Sequence, residues 1–152
     1  MYHWLVRRNV QTSFAHLNAH QYEAVVSTFT PEMVHSFAGQ HALGGVRHTQ
    51  EAARKWYARL FRLFPDLSFK VERVVVSGLP HDTTVAVQFR VELTPPNGSK
   101  RSYFNEVAQF IRIRWGRIAE IHLYEDTDKL VGLLRDMQAA GIAEAGAVPI
   151  VD

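Results

Sequence analysis

Gln88, Arg90 and Glu92 fall two residues apart where Val85, Val87, Phe89 and Val91 alternate with polar neighbours, so they share one face of a predicted strand. Turned inward, they set a charged pair and an amide in apolar surroundings, able to move a proton or orient a substrate. That placement costs several kcal/mol unless the charges pair with each other or with a ligand. Turned outward, they are the wet side of an amphipathic strand, and the alternation by itself favours this. His41 lies within Gly39-Gln40-His41-Ala42-Leu43-Gly44-Gly45. An imidazole there can serve as acid, base or donor near neutral pH, or it can simply fix its loop by bonding backbone. Tyr103 and Asn105 open a long strand, where an amide can orient a ligand carbonyl or hydroxyl. Trp56 and Tyr57 supply pocket wall or core. His122 and Tyr124 share the strand face opposite Ala119, Ile121 and Leu123, which suits a subunit contact. Asp126 is better placed as a helix cap than as a catalyst.

Several chemistries are excluded or disfavoured. The 152 residues include no cysteine, so disulfides, thiolate metal sites and cysteine nucleophiles are ruled out. His35, His41 and His48 have no carboxylate at a recognisable ligand spacing, and Asn18-Ala19 interrupts His16 and His20, so no metal is expected. The glycine-rich run lacks the lysine that meets phosphates, so no nucleotide cofactor is expected. The net charge is only +2 and the cations are scattered, which argues against nucleic acid. No apolar run is long enough to span a membrane, and the first residues lack the apolar core of a signal peptide. A cytoplasmic protein is expected.

The elements that must position these residues follow from periodicity. Val6, Val10, Phe14 and Leu17 recur at helical spacing. Tyr22, Val25, Val26 and Phe29 predict a short second helix ending at Thr30-Pro31. Met33 to Ala38 reads as a strand. Thr49 is placed to cap a third helix carrying Ala53, Trp56, Leu60 and Phe64. From Leu67 the period changes to two, with turns at Gly78 to Asp82, Pro95-Pro96-Asn97-Gly98 and Gly116-Arg117. A last helix carries Leu130, Leu133, Leu134 and Met137, with Gly141 as its C-cap. Short turns imply antiparallel strands, and helices gathered before such a meander must pack on one of its faces. The prediction is one α+β domain over residues 1–140, a curved and mostly antiparallel sheet with helices on its concave face, followed by a loose or arm-like tail over 141–152.

Phe37-Ala38-Gly39-Gln40-His41-Ala42-Leu43-Gly44-Gly45, Trp56-Tyr57-Ala58-Arg59-Leu60, Phe64-Pro65-Asp66-Leu67-Ser68-Phe69 and Gly116-Arg117-Ile118-Ala119-Glu120 with Tyr124-Glu125-Asp126-Thr127 resemble SnoaL-like members of the nuclear-transport-factor-2 superfamily. The resemblance extends to about Met137. It implies a cone-shaped fold and a small apolar pocket. It also implies a range of functions, from polyketide cyclases, ketosteroid isomerases and limonene epoxide hydrolases to proteins without catalysis. The cyclases' acid/base Asp falls at Leu123 in this chain. Arg90-Val91-Glu92 resembles the paired residues of the epoxide hydrolases, with Glu for Asp, and that likeness favours the inward reading. The expectation is a homodimer that holds a small apolar or aromatic molecule. His41, Arg90 and Glu92 are its candidate catalytic residues, and Trp56, Tyr57, Gln88, Tyr103 and Asn105 its ligand contacts. The alternative is a non-catalytic binding or dimerisation module.

Overall fold

The structure, a computed structural model, describes residues 1–96, 98 and 100–152. Its elements are α1 (Tyr2–Asn18), α2 (Tyr22–Val26), β1 (Phe29–Phe37), β2 (Gly45–Arg47), α3 (Gln50–Leu63), β3 (Ser68–Leu79), β4 (Asp82–Leu93), β5 (Tyr103–Arg114), β6 (Arg117–Glu125) and α4 (Thr127–Ala139), then a 3₁₀ turn over Ala143–Gly146. The strands form one mixed, curved sheet in the order β2-β1-β6-β5-β4-β3. The β1–β6 pair is parallel and the rest are antiparallel. The β5–β6 turn is tight because Trp115 and Gly116 both have positive φ, the backbone that matches strand twist in two-residue hairpins. Thr49 accepts from the Ala52 N–H at 3.2 Å and Asp126 from the Lys129 N–H at 3.2 Å, so both expected caps form. Gly141 ends α4 at φ 99°. Of the turn expected at Pro95 to Gly98, Asn97 lies outside the described residues.

The core follows the periodicities. Val6, Val10, Phe14 and Leu17 of α1 and Trp56, Tyr57 and Leu60 of α3 pack on the inner sheet residues Val85, Val87, Phe89, Val107, Ile111 and Ile121. Two local expectations change. α2 stops at Val26, and Phe29 already belongs to β1. Pro31 is tolerated there because the β1–β6 register shifts between Phe29 and Val34, leaving its missing N–H out of the ladder. The glycine-rich run also ends in a short strand, β2, rather than in loop. Gly44 permits this turn, since a Cβ there would run into the Gly39 carbonyl.

Arg47 on β2 is fully buried. Its Nε donates to His35 Nδ1 at 3.0 Å, Nη1 to the Gly44 and Ile150 carbonyls at 2.9 Å each, and Nη2 to the Gly45 carbonyl at 3.0 Å. The guanidinium also lies 5.3 Å from the centre of the Trp56 ring. Burial pulls its pKa down to about 10, still high enough to keep the charge at neutral pH. The tail is drawn back over β2 by these bonds and by Asp152, which accepts from the His48 N–H and the Thr49 hydroxyl.

Arg47→Met is therefore expected to lower stability in urea unfolding by about 3 kcal/mol or more, because it strands buried acceptors. Asp152→Ala, near the surface, should cost about 1 kcal/mol or less. Equal losses in the two variants would contradict this account of the buried guanidinium.

Candidate functional site

β6 carries the decisive side chain. Ala119, Ile121 and Leu123 point inward, and the same alternation brings Glu125 inward at the strand's end. There it joins an apolar cavity of about 60 Å³ walled by Trp56, Leu60, Phe64, Phe89, Leu123 and Leu130. Tyr103, from the start of β5, is the other polar side chain in the lining. No hydrogen bond reaches the Glu125 carboxyl among the described residues. Burial lifts its pKa to about 8, and the neighbouring Asp126 adds to the rise. Burial, reinforced by the Glu125 carboxyl, also raises the pKa of the Tyr103 phenol. Tyr103 Oη accepts from Asn105 Nδ2 at 2.8 Å, which leaves its own proton free to donate. The cavity thus pairs a carboxyl whose pKa is raised to about 8 with a neutral hydroxyl donor.

The other expected residues are dispersed. Asn105 is buried but does not line the cavity. Its Nδ2 also donates to the Asp126 carbonyl at 3.0 Å and its Oδ1 accepts from the Asp126 N–H at 3.3 Å, tying β5 to the start of α4 and fixing the Tyr103 ring. His41 is also outside it. Its Nε2 donates to the Ala38 carbonyl at 2.9 Å and its Nδ1 accepts from the Leu43 N–H at 3.3 Å, so the ring braces its loop. It borders a surface depression beside α4 and the tail. Burial first, and the Arg47 charge after it, lower its pKa.

The inward placement of Arg90 and Glu92 does not hold. β4 sends Val85, Val87, Phe89, Val91 and Leu93 inward and leaves Gln88, Arg90 and Glu92 on the outer face. There Arg90 pairs with Glu92 at 2.9 Å and lies 3.7 Å from the centre of the Phe104 ring. The outer face also holds Ser36, His122 and Glu120, with Ser36 Oγ 2.6 Å from His122 Nδ1 and His122 Nε2 3.2 Å from Glu120. These are the residue types of a nucleophilic triad. However, Ser36 sits in a strand paired on both sides, so the ladder takes up the neighbouring N–H groups that an oxyanion would need.

Trp56 and Tyr57 are both buried, yet they serve different spaces. Trp56 donates Nε1–H to the Leu43 carbonyl at 2.7 Å and walls the Glu125 cavity. Tyr57 faces a separate groove of about 320 Å³ between α1, α2 and the inner strands. The two spaces share no lining residue. The Phe14–Phe89 contact at 4.8 Å and the Trp56–Tyr57 contact at 5.0 Å stand between them. Among the described residues no group of three or more His, Cys, Asp or Glu side chains converges as metal ligands, and no helix is long and apolar enough to cross a membrane.

A six-stranded sheet closed by helices at one face, with a sparsely polar cavity inside, defines a cystatin-like or nuclear-transport-factor-2-like cone. The chain belongs to the SnoaL-like domain family, whose model matches residues 10–121. Solved structures agree on the fold. One similar structure is a nuclear-transport-factor-2-like protein of unknown function from Burkholderia pseudomallei, 17% identical, covering 84% of this chain and 95% of that one, with a TM-score of 0.74. A putative SnoaL-like polyketide cyclase from Jannaschia is 22% identical over 87% of this chain and 90% of that one, with a TM-score of 0.68. TerC, co-crystallised with polyporic acid, is 16% identical over 82% and 93%, with a TM-score of 0.70. No curated protein matches the chain.

The Glu125 assignment has a measurable sign. The folded carboxyl keeps its proton between the ordinary 4.5 and about 8, whereas the unfolded one does not. Its contribution to stability is therefore greatest below the ordinary value and is lost as pH rises through about 8. Glu125→Gln should gain on the wild type as pH rises, most at about pH 9 in urea unfolding run also at about pH 5 and 7. A wild-type-to-variant difference that stays constant across that range would remove the buried carboxyl from the account.

Proposed function

We propose that this protein is a cofactor-independent acid–base catalyst of the isomerase or cyclase kind, acting on a small apolar carbonyl compound. The observation that carries this reading is an unpaired carboxyl, Glu125, inside an otherwise apolar cavity beside the Tyr103 hydroxyl. As a carboxylate, Glu125 takes a proton from the carbon next to a carbonyl. The electron pair moves toward the carbonyl oxygen, where the Tyr103 O–H meets it. The protonated Glu125 then returns the proton at a second carbon, so no atom is gained or lost. The low dielectric of the walls strengthens both contacts. Membership of a family that includes cyclases supports the reading at the level of class.

Size restricts the substrate. An apolar cavity of about 150 Å³ holds benzene, and this one offers about 60 Å³. A ring-sized substrate enters only as wall side chains such as Leu130 and Phe64 turn aside. The test is deuterium uptake from heavy water into a panel of small cyclic ketones and enones, followed by NMR. Wild type should label at least one of them, and Glu125→Gln should do so roughly a hundredfold more slowly or worse with little change in KM. If no compound is labelled, while wild type and variant bind the panel equally, the non-catalytic binding module becomes the better reading.

The outer sheet face supports a homodimer as a second element of the proposal. Val75, Ala86 and Phe110 fall in one cross-strand row, with Ala108 and Tyr124 in the next. Val75, Phe110 and Tyr124 are each about half exposed, a patch that a second copy of the chain would cover. Light scattering at micromolar concentration should give twice the chain mass for wild type and the chain mass for Phe110→Glu. A monomeric wild type would end the dimer proposal.

A further inference from the structure

The start of α1, the β3–β4 turn and the β5–β6 turn meet at one end of the sheet. His3 Nε2 donates to the Gly78 carbonyl at 2.8 Å, and the Trp115 N–H donates to the Pro80 carbonyl at 2.7 Å. Leu5 of α1 and Gly116 of the β5–β6 turn border the same groove. This end is apolar for a surface: Trp4, Leu5, Leu79 and Trp115 are 58%, 47%, 61% and 76% exposed. The chain has three tryptophans, and the two outside the core both stand here. Apolar side chains exposed together among polar neighbours mark a surface that meets a partner.

The fold itself does not call for these residues. Trp115 has a φ of 51°, a left-handed backbone that asparagine or glycine adopts at lower cost in a hairpin turn. Its ring lies 6.2 Å from that of His81 and outside the core. Trp4 points away from the buried stripe of Val6, Val10, Phe14 and Leu17. Arg7 and Arg8 oppose the α1 dipole, which favours acids in the opening turns, and α1 contains no Asp or Glu. The Arg8 guanidinium lies 5.5 Å from the centre of the Trp4 ring.

Charge selects the partner. No Asp or Glu occurs in residues 1–22 or 113–119. Asp82, in the β3–β4 turn, is held by Arg112 at 2.8 and 3.0 Å. Arg114 has Glu32 and Glu120 beside it, whereas Arg7 and Arg8 have no acidic partner among the described residues. Tryptophan settles at the boundary between lipid headgroups and acyl chains, and an arginine beside it meets anionic headgroups. Leu5 and Leu79 suit the acyl layer and offer nothing to a nucleic-acid base or phosphate. We propose that this end of the molecule is a docking surface for an anionic lipid bilayer. Trp4, Leu5, Leu79 and Trp115 enter the boundary layer, and Arg7 and Arg8 pair with the headgroups. Attachment of this kind is peripheral, since side chains reach the boundary and no backbone crosses it.

Flotation of the full chain with phosphatidylcholine vesicles, with or without about one-third phosphatidylserine, tests this. Wild type should bind the phosphatidylserine vesicles about tenfold better and lose that preference in about 0.5 M salt. Trp115→Gly should weaken binding about tenfold while its thermal midpoint stays level or rises, since glycine suits the positive φ. Arg7→Gln combined with Arg8→Gln should remove the preference for phosphatidylserine. A wild type that stays off both kinds of vesicle overturns the proposal. So does equal binding to both, or a Trp115→Gly variant that floats as the wild type does. Tighter retention on a mixed-sequence RNA than on the anionic vesicles would assign this end to nucleic acid. A halved particle mass for Trp115→Gly in light scattering would assign it to a second copy of the chain. Either result overturns the proposal as well.

Discussion

The guanidinium of Arg47 is the constraint around which the β1–β2 end of the sheet is arranged. A cation removed from water needs a full set of acceptors, and among the described residues no carboxylate is bonded to this one. Three backbone carbonyls and one imidazole nitrogen take that place. The four acceptors come from three pieces of chain: β1 through His35, the glycine turn through Gly44 and Gly45, and the tail through Ile150. The demand also fixes a tautomer. His35 Nδ1 accepts, so Nε2 carries the proton, and that N–H meets no acceptor. Burial above all, then the Arg47 charge, holds the His35 pKa well below its ordinary value. A protonated His35 is incompatible with the arrangement.

Away from that end, the interior is governed by strand alternation and by how few polar groups violate it. The inner faces of β4, β5 and β6 are almost wholly apolar. Thr83, Tyr103, Asn105, Gln109 and Glu125 are the departures, and they separate by hydrogen bonding: Thr83 is bonded to the Leu79 carbonyl and Tyr103 to Asn105. Asn105 is consumed by the backbone at the start of α4 and so acts structurally. Among the described residues Glu125 and Gln109 are left unpaired, each in a different space. The aromatic partition of Phe14, Phe89, Trp56 and Tyr57 keeps those spaces apart. One of them therefore holds a carboxyl with little room, and the other holds more room beside an amide and a phenol.

Much of the fold was legible because it rests on period and punctuation. The apolar faces of α1, α3 and α4, the caps at Thr49 and Asp126, and the turn at Gly116 are local features, and the structure places them as the spacing predicts. β2 was not legible, since three residues are too few to show a period and the strand is held by the buried bonds of its own Arg47, one of them to the distant Ile150 carbonyl. The site was only partly legible. Tyr103 and Trp56 do wall the cavity. For Arg90 and Glu92 the alternation of β4 was the better guide and the likeness to epoxide hydrolases the poorer one, because the pleat of an intervening apolar strand cannot be reversed without burying the wrong face. Glu125 was missed although its signal was present: the inward series Ala119, Ile121, Leu123 needs only one more step. Gln109 is the same case on β5, two residues from Val107 and two from Ile111. A polar residue in phase with an apolar series is the mark of both.

The clasp between Arg47 and the tail also bears on the order in which the chain can assemble. Ile150 lies 103 residues beyond Arg47, and between them runs the whole β3–β6 meander. Until that meander exists and α4 has docked, the tail has no route back to β2, and the guanidinium must stay hydrated. Desolvation of the β1–β2 corner is then a late event, coupled to contacts of long sequence separation, which are slow to form. A chain caught before that step would have a nearly complete sheet with one wet, charged corner, and the β1 edge that β2 covers would still be open to pairing with another chain.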